Sequence, residues 1–183
     1  MDTERFIEDC IAAHQETEGQ AAVREVMARA VAAPRAVIAT LGEPVVAGLA
    51  VLHRSPTLTI FSTTWTPQMN LMPHNHLMWA NIAVYTGRED NLYWRETEQG
   101  LRAFGGHSLF ERDTVMLPDD VVHSVTNPLL RFTGAIHAYG GDFFGTTRSQ
   151  WDPETLEEQV SDGDRISALF DRENLRHAKL SRL

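Results

Sequence analysis

The sequence predicts a mainly β protein, a single jelly-roll barrel with N-terminal helices and a C-terminal helix. Between residues 35 and 145, short runs of β-branched and aromatic residues alternate with turn residues, which is typical of antiparallel barrels. Outside that range, apolar residues recur at the spacing of a helix face. We therefore expect one domain over residues 1–183, with N-terminal helices in 1–34, the β-barrel in 35–145 and a C-terminal helical segment in 146–183.

Three helices are predicted outside the barrel. The apolar residues that define them are Phe6, Ile7, Cys10 and Ile11 in the first, Val23, Val26, Met27 and Ala30 in the second, and Ile166, Leu169 and Phe170 in the last. Each set follows the i, i+3, i+4 pattern of a helix with one buried face. Pro34 ends the second helix, because proline lacks the N–H that a helix interior needs.

Eight strands are predicted between these helices. Their runs are Ala36–Thr40, Val45–Leu52, Leu58–Trp65, Met78–Tyr85, Asn91–Glu96, Thr114–Leu117, Val121–Asn127 and Arg131–Tyr139. Short strands at this spacing, separated by turn residues, suit a jelly roll.

Composition narrows the classes of partner. The chain has 16 basic and 25 acidic residues and a net charge of -9, which argues against nucleic acid or an anionic membrane as the main partner. No run approaches the roughly 18 apolar residues that cross a bilayer, and Met1–Arg5 is acidic and polar, unlike the start of a signal peptide. We expect a cytoplasmic protein that binds a small molecule. Its one cysteine, Cys10, excludes an internal disulfide.

Three histidines form the most informative pattern in the chain. His74 and His76 stand at i and i+2, so on an extended segment they point to the same face and can hold one ion together. His123 would have to join them from another strand. Three neutral imidazoles leave coordination positions open, as catalytic iron, copper, nickel and zinc centres do. We expect a metal site at His74, His76 and His123.

The segment around the first two histidines resembles the first motif of the cupin superfamily, G-x5-H-x-H-x3,4-E-x6-G. His74, His76 and Gly87 match that motif. Gln68 stands in place of its leading glycine, and Ala80 stands in place of its glutamate. The resemblance implies a cupin jelly-roll, also called a double-stranded β-helix.

The segment around the third histidine is similar to the second cupin motif, G-x5-P-x-G-x2-H-x3-N. Pro118, His123 and Asn127 match it, while Arg112 and Asp120 replace its two glycines. Together the two motifs imply that all three histidines are ligands of one ion.

The missing glutamate narrows the resemblance. With Ala80 in its place, the implied ligand set is three histidines, as in the thiol dioxygenases related to cysteine dioxygenase and 3-mercaptopropionate dioxygenase. Residues 135–141 also resemble the Ser-x-His-x-Tyr segment of those enzymes, with His137 and Tyr139 matching and Ala135 in place of the serine. Thr133, on the same predicted face, is a candidate to replace the missing hydroxyl.

The likeness to thiol dioxygenases implies a function. It implies a dioxygenase, an oxidoreductase that holds Fe(2+) and combines a small thiol with dioxygen, with Tyr139 and His137 as catalytic residues. Imidazole ligands alone leave nickel, copper and zinc open. Two alternatives also stay open: another metal-dependent cupin enzyme acting on a non-thiol small molecule, and a cupin that binds a metal or ligand without turnover. Arg54 and Arg131, at predicted strand ends, could each meet a substrate carboxylate.

Overall fold

A computed structural model of the chain describes residues 1–182, so Leu183 of the predicted C-terminal segment lies outside the described residues. Two antiparallel sheets form a jelly-roll, with helices before and after it, so the predicted mainly β fold class is confirmed. The elements are α1 Thr3–His14, α2 Gly19–Val31, α3 Pro34–Leu41, β1 Gly48–Arg54, β2 Thr59–Trp65, β3 Asn70–Asn75, β4 Ala80–Thr86, β5 Arg88–Thr97, β6 Gly100–Phe110, β7 Thr114–Leu117, β8 Val122–Thr126, β9 Thr133–Tyr139, β10 Ser149–Trp151, β11 Glu158–Val160 and α4 Gly163–Leu180.

The two sheets face each other around an apolar interior. One sheet has the strand order β1-β2-β9-β4-β7 and the other has the order β11-β10-β3-β8-β5-β6. Inward side chains alternate with outward ones along each strand, as the pleat requires. The apolar residues that meet in the interior are Phe61, Met78, Ala80, Ile82, Val84, Leu109, Leu117, Ala135, Tyr139 and Phe143.

The N-terminal helices cover the outer face of the five-stranded sheet. The outward residues of β2, β4 and β9 pack there against the apolar faces of α1 and α2, in a cluster that includes Ile60, Tyr85, Ile136, Val23 and Met27. Both faces of these three strands are therefore buried. This explains why apolar and polar residues do not strictly alternate along these strands.

One predicted strand is wrong. Ala36–Thr40 lies within helix α3, which begins at Pro34. Proline fits the first turn of a helix, because its fixed φ is already helical and the missing N–H would have no helical partner there. Pro34 therefore starts a third helix after α2 has ended at Val31.

The C-terminal segment contains two short strands that the sequence did not indicate, β10 and β11, before the predicted helix. That helix, α4, begins after Asp162, whose side chain accepts hydrogen bonds from the backbone N–H groups of Asp164 and Arg165. It buries Leu169 and Phe170, and the Phe170 ring stacks on Trp65 with ring centroids 5.6 Å apart. Helix α4 therefore lies against the barrel at the C-terminal end of β2, where Trp65 is located. No helix within residues 1–182 is long and apolar enough to cross a membrane.

Gln68 and Arg112 stand where the cupin motifs have glycine, and both have a left-handed backbone conformation. Gln68 has φ 59° and Arg112 has φ 78°, and the backbone N–H of Arg112 donates to the carbonyl of Val84 at 2.8 Å. Such φ values are unfavourable for residues with a Cβ. The turns leading into both histidine segments thus keep the conformation that glycine would favour.

Candidate metal centre

The three histidines meet on neighbouring strands of the six-stranded sheet. His74 lies in β3 and is paired directly with His123 in β8, while His76 follows the end of β3. Side chains of paired residues lie on the same face of a sheet, and the i, i+2 spacing brings His76 to that face as well. A β-bulge between Leu71 and His74 sets this register. The structure brings the three histidines together, as the sequence predicted.

The Nε2 atoms of the three rings point at one another. The Nε2 atom of His76 lies 3.2 Å from that of His74 and 3.1 Å from that of His123. The Nδ1 atom of His74 lies 3.0 Å from the carbonyl of Met72, and that of His123 lies 2.6 Å from Oδ1 of Asn91. Because these oxygens only accept, both Nδ1 atoms carry the proton, and both Nε2 atoms turn a lone pair inward.

This arrangement fits a metal ion. A proton on Nε2 of His76 can be donated to one of its two neighbours but not to both, so the lone pair of the other neighbour faces a nitrogen that offers it no hydrogen. A cation bound by all three Nε2 atoms removes that repulsion. Imidazoles at about 2.1 Å from one ion and roughly at right angles would have nitrogens about 3 Å apart, close to the spacing seen here. The three buried histidines could therefore hold a metal ion.

Burial keeps the three rings in the form that binds metal. Burial lowers the pKa of His74 to about 4. Burial, followed by the charges of the neighbouring histidines, also holds the pKa values of His76 and His123 well below their ordinary value. All three imidazoles are therefore neutral near pH 7, and each has one unprotonated ring nitrogen that can bind a metal.

Ala80, at the position of the missing glutamate, faces the barrel interior. It is fully buried and is the cross-strand partner of Tyr139 in β9. Tyr139 in turn packs against His76, so a longer side chain at position 80 would extend on the face of the barrel that holds the histidines, whereas the methyl group of Ala80 supplies no ligand. The three histidines thus form a neutral set, as expected from the sequence.

His137 and Tyr139 lie together on β9 and both line the cavity next to the histidines. The Nδ1 atom of His137 is 3.1 Å from the hydroxyl oxygen of Tyr139, and the Tyr139 ring packs edge-on to His76 with centroids 4.9 Å apart. Burial raises the pKa of Tyr139 above its ordinary value, so the phenol keeps its proton. Thr133 does not replace the missing serine, because its hydroxyl is bonded to the backbone N–H and carbonyl of Arg88.

Glu89 is a buried carboxylate that sequence reasoning missed. Its Oε2 accepts from Trp65 Nε1 at 2.8 Å and lies 3.3 Å from Nε2 of His137, while its Oε1 accepts from Asn91 Nδ2 at 3.2 Å. Burial raises the pKa of Glu89, but His137 and these hydrogen bonds outweigh burial and leave it below its ordinary value. The predicted strand began at Asn91, whereas β5 begins at Arg88. Extending the alternation back by two residues from Asn91 would have placed Glu89 on the inner face.

Arg148 is the second residue that the sequence did not indicate. It lies between β9 and β10 and lines a cavity of about 420 Å³ together with His74, His123 and Tyr139. Its guanidinium carbon lies 3.8 Å above the ring of Phe143, and its Nε is buried without a hydrogen-bond partner. The two arginines considered from the sequence lie elsewhere: Arg54 pairs with Asp142 at 2.8 Å, and Arg131 is exposed.

The rest of the cavity is largely apolar. Its walls come from the barrel and from α4, and they include Phe61, Leu71, Val125, Phe144, Ile166 and Phe170. Its volume falls in the range of roughly 300–1,000 Å³ that is usual for small-molecule sites. Two charged side chains, Arg148 and Asp171, and the histidine cluster thus face a largely apolar chamber.

Comparison with known proteins supports the fold. No protein-family model matches the sequence, and no curated protein matches it. A crystal structure from Bacillus halodurans is 14% identical, with a TM-score of 0.50 over 71% of this chain and 87% of that chain. A cupin family protein with a double-stranded β-helix fold from Methanocaldococcus jannaschii is 11% identical, with a TM-score of 0.44 over 53% and 82%. An oxalate oxidase structure is 14% identical, with a TM-score of 0.45 over 57% of each chain.

At such identities the likeness concerns the fold alone. The fold is a jelly-roll of two antiparallel sheets, in agreement with the sheet order described above. None of these three structures is named as a thiol dioxygenase, so that narrower resemblance stays a prediction.

Proposed function

We propose that this protein is a metal-dependent cupin enzyme, a non-haem iron dioxygenase that oxidises a small thiol. One observation carries the proposal: three buried, neutral histidines converge at a cavity, and the position of the fourth, carboxylate ligand is taken by Ala80. A neutral ligand set leaves the charge of a bound cation available to an anionic ligand such as a thiolate. Bound iron(II) would supply the redox chemistry that joins such a thiolate to dioxygen, giving a sulfinic acid from one thiol and one O2.

The groups around the cavity would orient the substrate. Tyr139 lines the cavity with its hydroxyl oxygen held by His137, so it can exchange a hydrogen bond with a reactant at a fixed position. Phe61 stacks on both residues, with its ring centroid 5.1 Å from Tyr139 and 5.7 Å from His137. Their rings therefore have little freedom to turn away.

Arg148 favours a substrate with a negative group. Arginine keeps its charge in proteins, and the buried Nε of Arg148 has a proton without an acceptor. Its Nη1 already donates to the carbonyl of Phe143 and, at 3.4 Å, to that of Thr146, which fixes the guanidinium against the cavity wall. Arg148 forms no salt bridge within residues 1–182, so a carboxylate on a substrate in this cavity would compensate its charge. We therefore infer that the thiol carries a carboxylate, as cysteine and 3-mercaptopropionate do.

The proposal is tested by metal analysis of the purified protein and by oxygen uptake with thiols after loading with iron(II). The panel pairs carboxylate-bearing thiols, cysteine and 3-mercaptopropionate, with thiols that lack the group, cysteamine and 2-mercaptoethanol. We expect uptake of one O2 per thiol, formation of the sulfinate and a preference for the carboxylate-bearing thiols. Full iron loading without oxygen uptake for any thiol would exclude thiol oxidation and leave the two other functions considered from the sequence.

Replacement of Arg148 tests the carboxylate contact. Hydrogen bonds to a charged group contribute about 1.5–3 kcal/mol, so Arg148→Gln should raise KM for the carboxylate-bearing thiols roughly 10- to 100-fold. The KM for 2-mercaptoethanol should change little. Arg54→Gln is the matched control, because Arg54 pairs with Asp142 outside the cavity. Equal effects of Arg148→Gln on both kinds of thiol would contradict the assigned contact.

A further inference from the structure

We propose that Glu89 is the positioning residue that fixes both the candidate ligand His123 and the cavity residue Tyr139 from one buried point. This inference rests on the proposed metal site. Glu89 is fully buried in β5 and touches neither the Nε2 cluster nor the cavity. Its influence would pass through Asn91 on one side and through His137 on the other.

Through Asn91, Glu89 fixes the tautomer of His123. A carboxylate only accepts hydrogen bonds, so the side-chain NH2 of Asn91 must face Glu89, and its Oδ1 must face His123. His123 then has to carry its proton on Nδ1, 2.6 Å from that oxygen. The Nε2 lone pair is thereby directed at His74 and His76. Glu89 thus decides, through one intervening amide, which nitrogen of His123 is available to a metal.

Through His137, Glu89 fixes the orientation of the Tyr139 hydroxyl group. The other carboxylate oxygen of Glu89 faces Nε2 of His137 at 3.3 Å, so that nitrogen carries a proton. If His137 holds only this proton, its Nδ1 is the acceptor, and the Tyr139 hydroxyl donates to it across 3.1 Å. The phenol oxygen keeps its free lone pairs toward the cavity. Trp65 donates to the same carboxylate oxygen at 2.8 Å and holds Glu89 in place.

Glu89→Gln separates this role from simple packing, because it keeps the shape and replaces one acceptor by an NH2 group. With two donors, Trp65 and His137, at one end, the amide oxygen is expected to stay there. The new NH2 then faces the NH2 of Asn91, which must turn over and present its NH2 to His123. The proton of His123 would move to Nε2, and the lone pair would be lost from the centre.

A second substitution should restore the pattern. In the double variant Glu89→Gln, Asn91→Asp, the new NH2 donates to the carboxylate introduced at position 91, whose other oxygen accepts from Nδ1 of His123. The two substitutions leave the summed charge of these positions unchanged. A residue that served only to fill space would give no reason for this rescue. Glu96→Gln, on an exposed position of the same strand, is the matched control.

The experiment has two measurements. Nitrogen-15 NMR of the metal-free wild-type protein reads the histidine tautomers, and Co2+ affinity is measured by competition with a chelator. We expect His123 protonated on Nδ1 and His137 on Nε2 in the wild type. Removing an outer partner of a ligand histidine typically costs about 10- to 100-fold in metal affinity, so Glu89→Gln should weaken Co2+ binding by that factor. The double variant should regain most of it, and Glu96→Gln should bind as the wild type does.

Three results would overturn the inference: the opposite tautomer of His123 or His137 in the wild type, wild-type Co2+ affinity in Glu89→Gln, or no recovery in the double variant. Circular dichroism checks that each variant folds. If Glu89→Gln does not fold, the wild-type tautomers and the double variant decide. A wild-type protein that binds no divalent metal would end the proposed function, whereas the tautomers of the metal-free protein would still decide the role of Glu89.

Discussion

His74 and His123 are direct partners across two antiparallel strands, and their ring centroids lie 4.6 Å apart. The spacing of two of the three candidate ligands is therefore set by backbone hydrogen bonds between β3 and β8. Long flexible side chains or mobile loops take no part in it. Such a centre is organised before a metal arrives, and binding requires little rearrangement of the protein.

Removing any one of the three histidines should abolish most metal binding. His74→Ala, His76→Ala and His123→Ala each delete one of three nitrogens, which should cost more than the roughly 10- to 100-fold typical of an outer partner. Metal content after dialysis against a weak chelator measures the loss. His107→Ala, at an exposed position of β6, is the control and should retain the metal. Equal retention in the control and a ligand variant would contradict the site.

Adding a carboxylate at position 80 should tighten metal binding and suppress turnover. Ala80→Glu would place a negative group on the inner face of β4, opposite Tyr139, and its attraction to a cation at the histidines should raise affinity about 10-fold or more. It would also occupy the position proposed for the substrate. Ala80→Gln, of the same size and uncharged, separates the two effects. Unchanged metal affinity and turnover in Ala80→Glu would show that a side chain at position 80 does not reach the metal.

Tyr139→Phe should retain iron and lower turnover about 10²-fold, because the hydroxyl contacts the cavity without belonging to the ligand set. Cys10 is buried in the cluster on the outer face of the five-stranded sheet, whereas Tyr139 faces the interior. We therefore also expect an unmodified tyrosine, which the mass of the intact protein will check. Wild-type turnover in the variant would remove Tyr139 from the mechanism.

The metal-free protein should lose stability as the pH falls from about 6.5 towards about 4. The buried histidines stay neutral when folded, His74 down to about pH 4, whereas in the unfolded chain they bind protons below about pH 6.5. The unfolded state then takes up more protons, so acid favours unfolding by up to about 1.4 kcal/mol per pH unit for each residue.

Urea unfolding between pH 7 and pH 4.5, with a chelator present, measures this loss. His74→Gln should flatten the slope, and His107→Ala should leave it unchanged. A wild-type stability that stays constant between pH 7 and pH 5 would show that these histidines are not kept neutral.

Glycine at position 112 should stabilise the protein by about 0.5–1 kcal/mol. Arg112 is exposed, and its φ of 78° is strained for a residue with a Cβ but free of strain for glycine. Thermal or urea unfolding of Arg112→Gly measures the gain. Glu111→Gly, at a neighbouring position without a positive φ, should instead be neutral or destabilising. A loss of stability in Arg112→Gly would mean that the arginine side chain contributes more than the backbone strain costs.

The sequence predicted strands at β1, β2, β4, β5, β7, β8 and β9 and the convergence of three histidines, but it indicated no strand at β3, which carries His74. Thr114–Leu117 is one of the predicted strands, and the structure has the same bounds. The edge strand β6 was not predicted, because both of its faces are largely exposed and two adjacent glycines interrupt it. It forms because it pairs with β5 along its length, which is a long-range effect that local patterns do not contain.

The polar residues around the centre were harder to predict for a similar reason. Glu89 resembles an ordinary surface glutamate near a strand end, and only its partners on β2 and β9 make its burial favourable. Arg148 lies in irregular chain, where no periodicity assigns a face. The histidine pattern could be recognised as a metal site because two of the candidate ligands, His74 and His76, are two residues apart in the sequence. The partners of a buried charge are distant, and the fold alone brings them together.

Helix α4 contributes to the wall of the cavity but carries none of the candidate ligands, so substrate selection and chemistry depend on different parts of the protein. The candidate ligands and Tyr139 belong to, or directly follow, barrel strands, whereas Ile166 and Phe170 of α4 form a separate part of the cavity wall. Changes along one face of this helix could therefore reshape the chamber while the histidine geometry stays as it is. Selectivity and chemistry are in this sense modular, so exchanging one C-terminal helix is a route to new substrates on an unchanged reaction centre.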